Sequence, residues 1–512
     1  MQSPAQPDDT TPYDRVEYKG GTIAQTHPTR LATVAALFGL QSAPANRCRV
    51  LELGCGDGSN LIPMAFHHPD SEFVGVDLAH TPISVGRDQL DRLKLRNIRL
   101  LQGDVTEACE HLGAFDYVIA HGLYSWVPDS VRPHILRVAA ERLTGNGVAY
   151  VSYNALPGCR LRHLVRDLLG FRFGADAREP TQLEPMREFL RAFSRVEEWS
   201  DGKFLDVLKR EIAFVQNLPD DVLYHDDLAA DSKAFYLRQF VADAGAWGLQ
   251  YLGEADIVER FTMAGLGEFD ALVDAWSNND WVAREQYFDF VKGRRFRQTL
   301  LCKDSHRLLR DFGTHTVERL DLRSRLRLDD ANAALFDRSE VSFSAGNRGV
   351  KLDEPIAKTA LALLEQHYPD SVAFEDLLGE TTAWCRRAGL TLANGESRRA
   401  LAHMLWTLVR GTLVELLREP QRIAARSGTL PRISPLVRDQ IARGIPLAGA
   451  LHDNFALKDD LAAEIALAMD GSHDRAALER LACERTGAQP AIAAQRIEQL
   501  LGFLGRHGAI AG

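Results

Sequence analysis

Residues 50–58 read VLELGCGDG, and residues 74–77 read VGVD. The first stretch is a short apolar run that continues into alternating glycines, and the second is an apolar run that ends in a carboxylate. Glycine tolerates positive φ and has no Cβ, so the chain can turn sharply out of a buried strand there and bring its backbone close to a ligand. The two stretches predict a strand, a tight turn, a helix and a second strand, which together form a cofactor cleft.

The acidic residues around this turn indicate which cofactor the cleft takes. Asp77 ends the second strand, at the spacing from the glycines at which a carboxylate accepts hydrogen bonds from ribose hydroxyls. A dinucleotide fingerprint requires a further glycine at position 59, where this chain has Ser59. The negative charges of Glu52 and Asp57 would repel a pyrophosphate, but they would attract the sulfonium and ammonium groups of S-adenosylmethionine. Asp104, after a third strand, lies where we expect the adenine amino group.

Short apolar runs alternate with helical segments from residue 49 to residue 154. Such alternation predicts an α/β fold with a doubly wound parallel sheet that helices cover on both faces. The predicted strands are Arg49–Glu52, Glu72–Val76, Ile98–Gln102, Phe115–Ala120 and Gly147–Tyr153, and the predicted helices are Thr29–Leu40, Asn60–His67, Thr81–Leu93 and Val131–Leu143.

The strand signal fades beyond Leu161, and helical periodicity dominates to about residue 310. The segment Arg319–Leu328 alternates with a period near two, which predicts an amphipathic strand that is a candidate to complete the first sheet. Helices alternate with short strand-like pieces after residue 330. The segment Arg410–Arg443 holds seven arginines, which either form a solvated face, bind an acidic protein surface, or contact nucleic acid through a winged helix.

Composition bounds the class of protein. The chain has 512 residues, of which 45% are hydrophobic and 25% charged, and its formal net charge is −10. This length predicts about two to four domains, and the negative charge argues against the whole molecule as a nucleic-acid binder. Seven widely spaced cysteines without a CxxC pair favour a reducing cytoplasm over a disulfide framework or a metal site. The polar start lacks a signal peptide, and no long apolar run predicts membrane insertion.

Longer stretches carry a family resemblance. Three of them resemble bacterial class I S-adenosylmethionine-dependent methyltransferases with a Rossmann-like sheet, and three later ones resemble the methyltransferase regulatory domain that follows this sheet in one group of these enzymes. That group includes the rickettsial-type protein lysine methyltransferases that modify an outer-membrane protein. The first three stretches are THPTRLA at 26–32, LELGCGDGSNLIPMA at 51–65 and HGLYSWVP at 121–128, and the later ones lie at 224–226, 248–252 and 285–302.

The resemblance implies a domain order and an assembly. It implies S-adenosyl-L-methionine as the cofactor, a protein lysine as the acceptor, and a homodimer. It also implies a C-terminal winged-helix-like α+β region, because residues 431–435 and 470–471 resemble the later segment of that region. We therefore expect an N-terminal segment and lid over 1–45, a cofactor-binding methyltransferase domain over 46–165, a helical regulatory domain over 166–310, and the winged-helix-like region over 311–512.

We expect the cofactor to lie across the ends of the first four strands and beneath the segment before the first helix. His27 either belongs to that lid or only begins the helix at Thr29. The predicted cofactor-binding residues are His27, Glu52, Gly54, Cys55, Gly56, Gly58, Asn60, Asp77, Leu78, Asp104, Val105, Ala120 and His121.

The predicted acceptor site begins where the fourth strand ends, because in this family that strand ends beside the transferred methyl group. Tyr124 and Trp126 are candidates for an aromatic wall around an amine, although Trp126 is equally suited to pack a helix onto the sheet. His121 either accepts a proton from the acceptor or is structural. Asn154, at the end of the fifth strand, either orients the acceptor or bonds its own turn.

Three functions remain open at this point. The leading hypothesis is a methyltransferase that acts on lysine side chains of a protein. The first alternative is a methyltransferase for a small molecule or natural product, with the helical domain as a lid. The second is a regulator that binds the cofactor and contacts DNA through its C-terminal region. The intact glycine turn and the glycine at position 122 favour turnover over a catalytically inactive protein.

Overall fold

An eight-stranded mixed sheet forms the centre of the computed structural model, which describes residues 11–174, 178–196, 203–256, 268–390 and 394–511. Its strand order is β3-β2-β1-β4-β5-β8-β7, with β6 beside the end of β5. All neighbours are parallel except β8, which runs antiparallel to β5 and β7. The strands are β1 (Arg49–Leu53), β2 (Glu72–Asp77), β3 (Ile98–Gln102), β4 (Phe115–Ala120), β5 (Leu143–Ala155), β6 (Ala234–Phe235), β7 (Leu249–Glu254) and β8 (Phe296–Lys303).

Helices cover both faces of this sheet, and a separate helical group with its own core is inserted in the chain between β5 and β6. Short apolar strands that are buried on both faces explain this layering, since each face needs its own cover. The helices up to residue 292 are α1 (Pro12–Arg15), α2 (Pro28–Leu37), α3 (Leu61–His67), α4 (His80–Leu93), α5 (Arg132–Arg142), α6 (Cys159–Phe173), α7 (Leu183–Phe193), α8 (Lys203–Gln216), α9 (Asp220–Val222), α10 (Leu237–Gly245), α11 (Glu268–Ser277) and α12 (Trp281–Lys292).

Alternate residues of each strand contribute to two hydrophobic cores, one on each face of the sheet. On one face, Val50 of β1 and Tyr150 of β5 pack with α2, α3 and α4. On the other face, Leu51 of β1 and Val151 of β5 pack with α5 and α10. The residues before β1 therefore help to build the first core, because α2 buries Leu31 within it.

The region after residue 310 contains two further cores. Three small sheets lie there: β10-β11-β12, β13-β9-β14 and β15-β16. Its strands are β9 (Asp321–Arg323), β10 (Arg327–Leu328), β11 (Val341–Ala345), β12 (Arg348–Leu352), β13 (Val372–Ala373), β14 (Glu415–Leu417), β15 (Leu447–Ala448) and β16 (Asn454–Phe455), and its helices are α13 (Thr314–Val317), α14 (Pro355–His367), α15 (Phe374–Arg387), α16 (Asn394–Arg410), α17 (Pro435–Arg443), α18 (Asp460–Ala468), α19 (Arg475–Thr486) and α20 (Pro490–Arg506).

The structure confirms the α/β fold class, but two sequence expectations differ from it. The stretch up to residue 310 is not purely helical, because β6, β7 and β8 join the main sheet. Arg319–Leu328 does not complete that sheet: its core segment is β9, which pairs with β13 and β14. A period of two predicts a strand but not its partner, and here the partners lie about 50 and 90 residues further along the chain.

No helix among the described residues combines the length and the apolar character that a membrane crossing needs.

Candidate functional site

The glycine turn after β1 is built by hydrogen bonds to the neighbouring strand. The backbone N–H groups of Gly54 and Cys55 both donate to the carbonyl of Val76, at 2.8 and 3.2 Å. Gly56 has a φ of 55°, which a side chain would oppose. A Cβ placed on Gly56 would meet no atom of the described residues within 4 Å. The turn thus leaves open space above the end of β1.

Asp77 is fixed at the end of β2 by two backbone donors. Its Oδ2 accepts from the N–H of Gly56 at 2.8 Å, and its Oδ1 accepts from the N–H of Ala79 at 2.9 Å. Burial raises the pKa of this carboxyl, while the two backbone donors oppose the rise. The carboxylate therefore faces the turn at the position predicted for a ribose contact. Its neighbour Leu78 is exposed, and a flat apolar ligand surface can lie against it.

Glu52 lies beneath the same turn and is almost completely buried. Its Oε1 accepts from the side-chain amide of Asn60 at 2.9 Å, whereas its Oε2 meets no hydrogen-bond partner in the described part of the chain. Burial raises the pKa of this carboxyl to about 8, an effect that Asp77 and Asp57 increase. An unpartnered buried carboxylate oxygen fits a cationic ligand, which would favour its charged form.

The remaining predicted cofactor residues have different surroundings. Cys55, Val105 and Ala120 are buried in the cores of the sheet. Asp104 is exposed, and its carboxylate accepts from the N–H of Thr106 at 2.8 Å within a turn. Gly54 and Gly58 take φ of 72° and 78°, which the turn requires. All of these residues lie in or beside the ends of β1 to β4.

His27 begins α2 and takes part in a histidine cluster. Its Nδ1 accepts from the N–H of Thr29 at 3.2 Å, and its Nε2 lies 3.3 Å from Nε2 of His68. Its ring also lies 5.0 Å from that of His452. Burial and these neighbouring histidines hold its pKa well below the usual value, so the ring is neutral. The helix-entry interpretation describes these contacts better than a direct contact with the cofactor.

His121 follows β4 and is oriented by a tyrosine of the adjacent strand. Its Nδ1 lies 2.9 Å from the hydroxyl of Tyr150, and the ring of Phe296 lies 6.0 Å away. Burial lowers the pKa of His121 to about 4, so the imidazole is neutral near pH 7. Gly122 donates its N–H to Ser152 Oγ at 2.8 Å, and a Cβ on it would meet no described atom within 4 Å.

The structure separates the other predicted catalytic residues. Tyr124 is buried, with its ring 5.1 Å from that of Phe235 and 5.2 Å from that of Phe240, which are the contacts of a core residue. Trp126 is half-buried. Asn154 is buried at the end of β5, and its backbone N–H donates to Ser125 Oγ at 2.8 Å. His121 and Asn154 therefore end neighbouring strands, while Tyr124 points into the core.

Residues before α2 and after α9 close the mouth of this cleft. Asp14 accepts from the N–H of Thr81 at 2.8 Å. The ring of Tyr13 stacks on that of His225 with centroids 4.3 Å apart. Burial raises the pKa of Tyr13, and the negative charges of Asp226 and Asp77 raise it further. The segment around His225 thus contacts the N-terminal segment, where His225 Nε2 also lies 2.8 Å from the carbonyl of Val16.

Sequence reasoning missed several residues of the site. Tyr150 and Ser152 share a face of β5 with Asn154, and strand alternation from Asn154 would have identified them. Tyr13 carries no local signal, because only the fold brings it to the cleft, and the stretch that includes Asp226 gave no indication that it lies near the cofactor site.

Two family models match the chain. A methyltransferase domain matches residues 51–149, and a predicted methyltransferase regulatory domain matches residues 219–303. Among similar proteins, uncharacterized protein RP028 of Rickettsia prowazekii (strain Madrid E) is 32% identical over 232 residues, which are 45% of this chain and 93% of that protein. Uncharacterized protein RP789 of the same organism is 34% identical over 316 residues, which are 61% of this chain and 56% of that protein. The chain thus spans about half the length of RP789.

Among solved structures, PKMT2 from Rickettsia typhi in complex with AdoHcy has a TM-score of 0.87, is 23% identical, and covers 97% of this chain and 100% of that chain. A further structure of PKMT2 from the same organism gives a TM-score of 0.86 at 24% identity, with the same coverage. These structures share the fold of this chain over almost its whole length.

Proposed function

The chain belongs to the class I S-adenosylmethionine-dependent methyltransferases that carry a methyltransferase regulatory domain, and we propose that it methylates lysine side chains of a protein. The cofactor part of this proposal is supported by the unpartnered oxygen of buried Glu52 beside the glycine turn. Asp77 and Asn60 are the further residues that would hold the cofactor. S-adenosylmethionine supplies an electrophilic methyl group on a sulfonium.

The lysine acceptor is supported by the likeness to PKMT2 over 97% of this chain and by the neutral imidazole at the cleft. A lysine ammonium has a pKa near 10.4, so its deprotonation near pH 7 costs about 4 to 5 kcal/mol. Nδ1 of His121 lies 2.9 Å from the hydroxyl of Tyr150; in the proposed tautomer Nδ1–H donates to this hydroxyl, which leaves Nε2 to accept the proton. Phe296 lies beside the imidazole and helps to exclude water, which lowers the pKa of an amine held there.

Finer features of assembly belong to the same proposal. In the chain, α14 lies between β9 and β13, and α15 and α16 lie between β13 and β14. The three strands form one sheet, an order that supports a winged-helix-like module. Arg418 of the arginine-rich segment donates to the carbonyl of Ser42 at 2.7 Å, so at least this arginine serves a contact within the chain. We also propose that the protein forms a homodimer, is located in the cytoplasm and acts on a protein partner.

The acceptor class is tested with methyl-labelled cofactor and a bacterial lysate. We expect the label to enter protease-sensitive material and to spare nuclease-sensitive and low-molecular-mass fractions. The matched control is the Asp77→Ala variant. We expect that no fraction of the lysate becomes labelled when this variant replaces the wild type. Label in small molecules would favour the natural-product alternative. Cofactor binding without any turnover, together with a salt-dependent change in the electrophoretic mobility of DNA, would favour the regulator.

Glu52 gives the site a distinctive pH dependence. Because its pKa is about 8 in the folded protein and near 4.5 in the unfolded chain, its protonated form contributes stability that is complete below pH 4.5 and is lost as pH rises through 8. The slope approaches about 1.4 kcal/mol per pH unit between these values. We expect Glu52→Gln to flatten the thermal unfolding midpoint against pH over this range, when measured without cofactor. Parallel pH profiles for the two proteins would contradict this assignment.

A further inference from the structure

The N-terminal strap, residues 20–27, lies over the glycine turn and is tied to it through one side chain. The Oδ1 of Asn60 accepts from the N–H of Ile23 at 2.9 Å, and its Nδ2 donates to Thr26 Oγ1 at 3.0 Å. The same Nδ2 donates to Glu52 Oε1 at 2.9 Å. Asn60 therefore connects the strap to the buried carboxylate of the cofactor site.

The hairpin β15–β16 of the C-terminal region reaches the same strap. Asn454 makes three hydrogen bonds to Thr22: its Oδ1 accepts from the backbone N–H and from the hydroxyl, both at 3.0 Å, and its Nδ2 donates to the carbonyl at 2.9 Å. This arrangement satisfies both backbone polar groups and the hydroxyl of a single strap residue. Thr22 is almost fully buried beneath the contact.

His452, in the loop between β15 and β16, reaches Asn60 itself. Its Nε2 lies 3.0 Å from Asn60 Oδ1, and the ring is 3% exposed. Since the Nδ2 of Asn60 is used for Glu52 and Thr26, its Oδ1 accepts and the imidazole donates. His452 has a φ of 53°, a conformation that costs an L-residue of this kind free energy and that persists only where surrounding contacts impose it.

We propose that His452 and Asn454 are positioning residues for the cofactor site, so that docking of the C-terminal region sets the affinity for S-adenosylmethionine. His452 acts through Asn60 on the Glu52 carboxylate, and Asn454 acts through Thr22 on the strap. This inference rests on the proposed function. It assigns to residues near the far end of the chain a role that neither family model covers, since the models end at residues 149 and 303.

The chain offers a matched control for this contact. Asp439 of α17 also joins the C-terminal region to the methyltransferase domain, where it accepts from Gln89 and Arg92 of α4 at 3.0 and 2.7 Å. Gln89 lines the same cavity as Thr22 and Asn454, but among the hydrogen bonds of the described residues none links Gln89 or Arg92 to Asn60 or Thr22. Asp439→Ala therefore weakens docking of the same two regions without loosening the strap.

The test measures the Kd of the full-length protein for AdoHcy by calorimetry and the hydrogen exchange of residues 20–27 without cofactor. We expect Asn454→Ala to raise the Kd about 10-fold and to accelerate exchange of the strap, and Asp439→Ala to change the Kd less than about twofold. His452→Gln and His452→Leu meet the same backbone strain at this position. Gln keeps an N–H donor, so we expect it to bind AdoHcy at least fivefold more tightly than Leu.

The outcomes separate the inference from the proposed function. Wild-type protein that binds no AdoHcy would overturn the cofactor assignment, and the inference with it. Wild-type protein that binds AdoHcy, with equal Kd values for Asn454→Ala and Asp439→Ala, would overturn only the inference, because the effect would then be one of general docking. Unchanged exchange of residues 20–27 in Asn454→Ala would overturn it as well, independently of the cofactor.

Discussion

Replacement of Asp77 by alanine is expected to weaken S-adenosylmethionine binding at least about 100-fold. The carboxylate accepts from the N–H groups of Gly56 and Ala79, so its loss removes both the predicted ribose acceptor and the bonds that hold the turn against β2. A buried donor left without its acceptor costs about 1 to 3 kcal/mol, and the lost ligand contact adds to that cost. Calorimetric titration with AdoHcy measures the effect.

Asp91→Ala is the matched control for this experiment. Asp91 is an exposed carboxylate of α4, and its removal changes the net charge by the same amount without touching the cleft. We expect its Kd to equal that of the wild type. A wild-type Kd for Asp77→Ala, in a protein with an unchanged unfolding midpoint, would refute the assignment of the cleft at the end of β2.

Replacement of His121 by alanine is expected to lower kcat by about 100-fold, the lower end of the range typical of a lost general base. Burial lowers the pKa of the imidazole to about 4, so the ring is unprotonated throughout the neutral range but is a weak base, and it accepts a proton only from an amine whose own pKa the cleft has lowered. The rise of kcat/KM between about pH 6 and 9 then reports ionisation of the acceptor lysine and not of His121. Single-turnover rates with saturating cofactor measure the loss.

Tyr150→Phe provides the comparison for His121. It keeps the ring in the core but removes the hydroxyl that orients Nδ1 of His121, and we expect it to lower kcat about 10-fold. Tyr150→Phe should bind AdoHcy with the wild-type Kd, and His121→Ala should lose far more in kcat than in AdoHcy affinity, because Glu52, Asp77 and Asn60 hold the cofactor in the proposed arrangement. A kcat for His121→Ala within twofold of the wild type would remove His121 from the proposed mechanism.

The core of the fold was predictable because its signals are local. Each of the first four strands is short and largely apolar, and β5 contains such a segment at 147–153. The turn at 54–58 places its glycines where positive φ is needed, as at Gly56. β7 and β8 were harder to predict. β8 holds the polar run 297–299 before its apolar residues, and it carries the buried Arg297, which pairs with Asp289 at 2.8 Å. A buried charge of this kind is stable only beside a partner that tertiary structure supplies.

The candidate site shows the same division between local and long-range information. Glu52 and Asp77 were identifiable from their spacing to the glycines, because cofactor chemistry requires carboxylates at strand ends. Tyr124 was predicted to line the acceptor site, but its ring packs in the core against Phe235 and Phe240, which are distant in sequence. His452 reaches Asn60 across 392 positions of sequence, a separation at which no local pattern carries information.

The central claim is methyl transfer to a protein lysine, and mass spectrometry of the labelled products tests it most directly. Wild-type protein, methyl-labelled S-adenosylmethionine and lysate are incubated together, and the labelled proteins are digested and sequenced. We predict mass increments of one or more methyl groups on lysine side chains, absent with Asp77→Ala and strongly reduced with His121→Ala. Label confined to other side chains, to nucleic acid or to small molecules would contradict the claim.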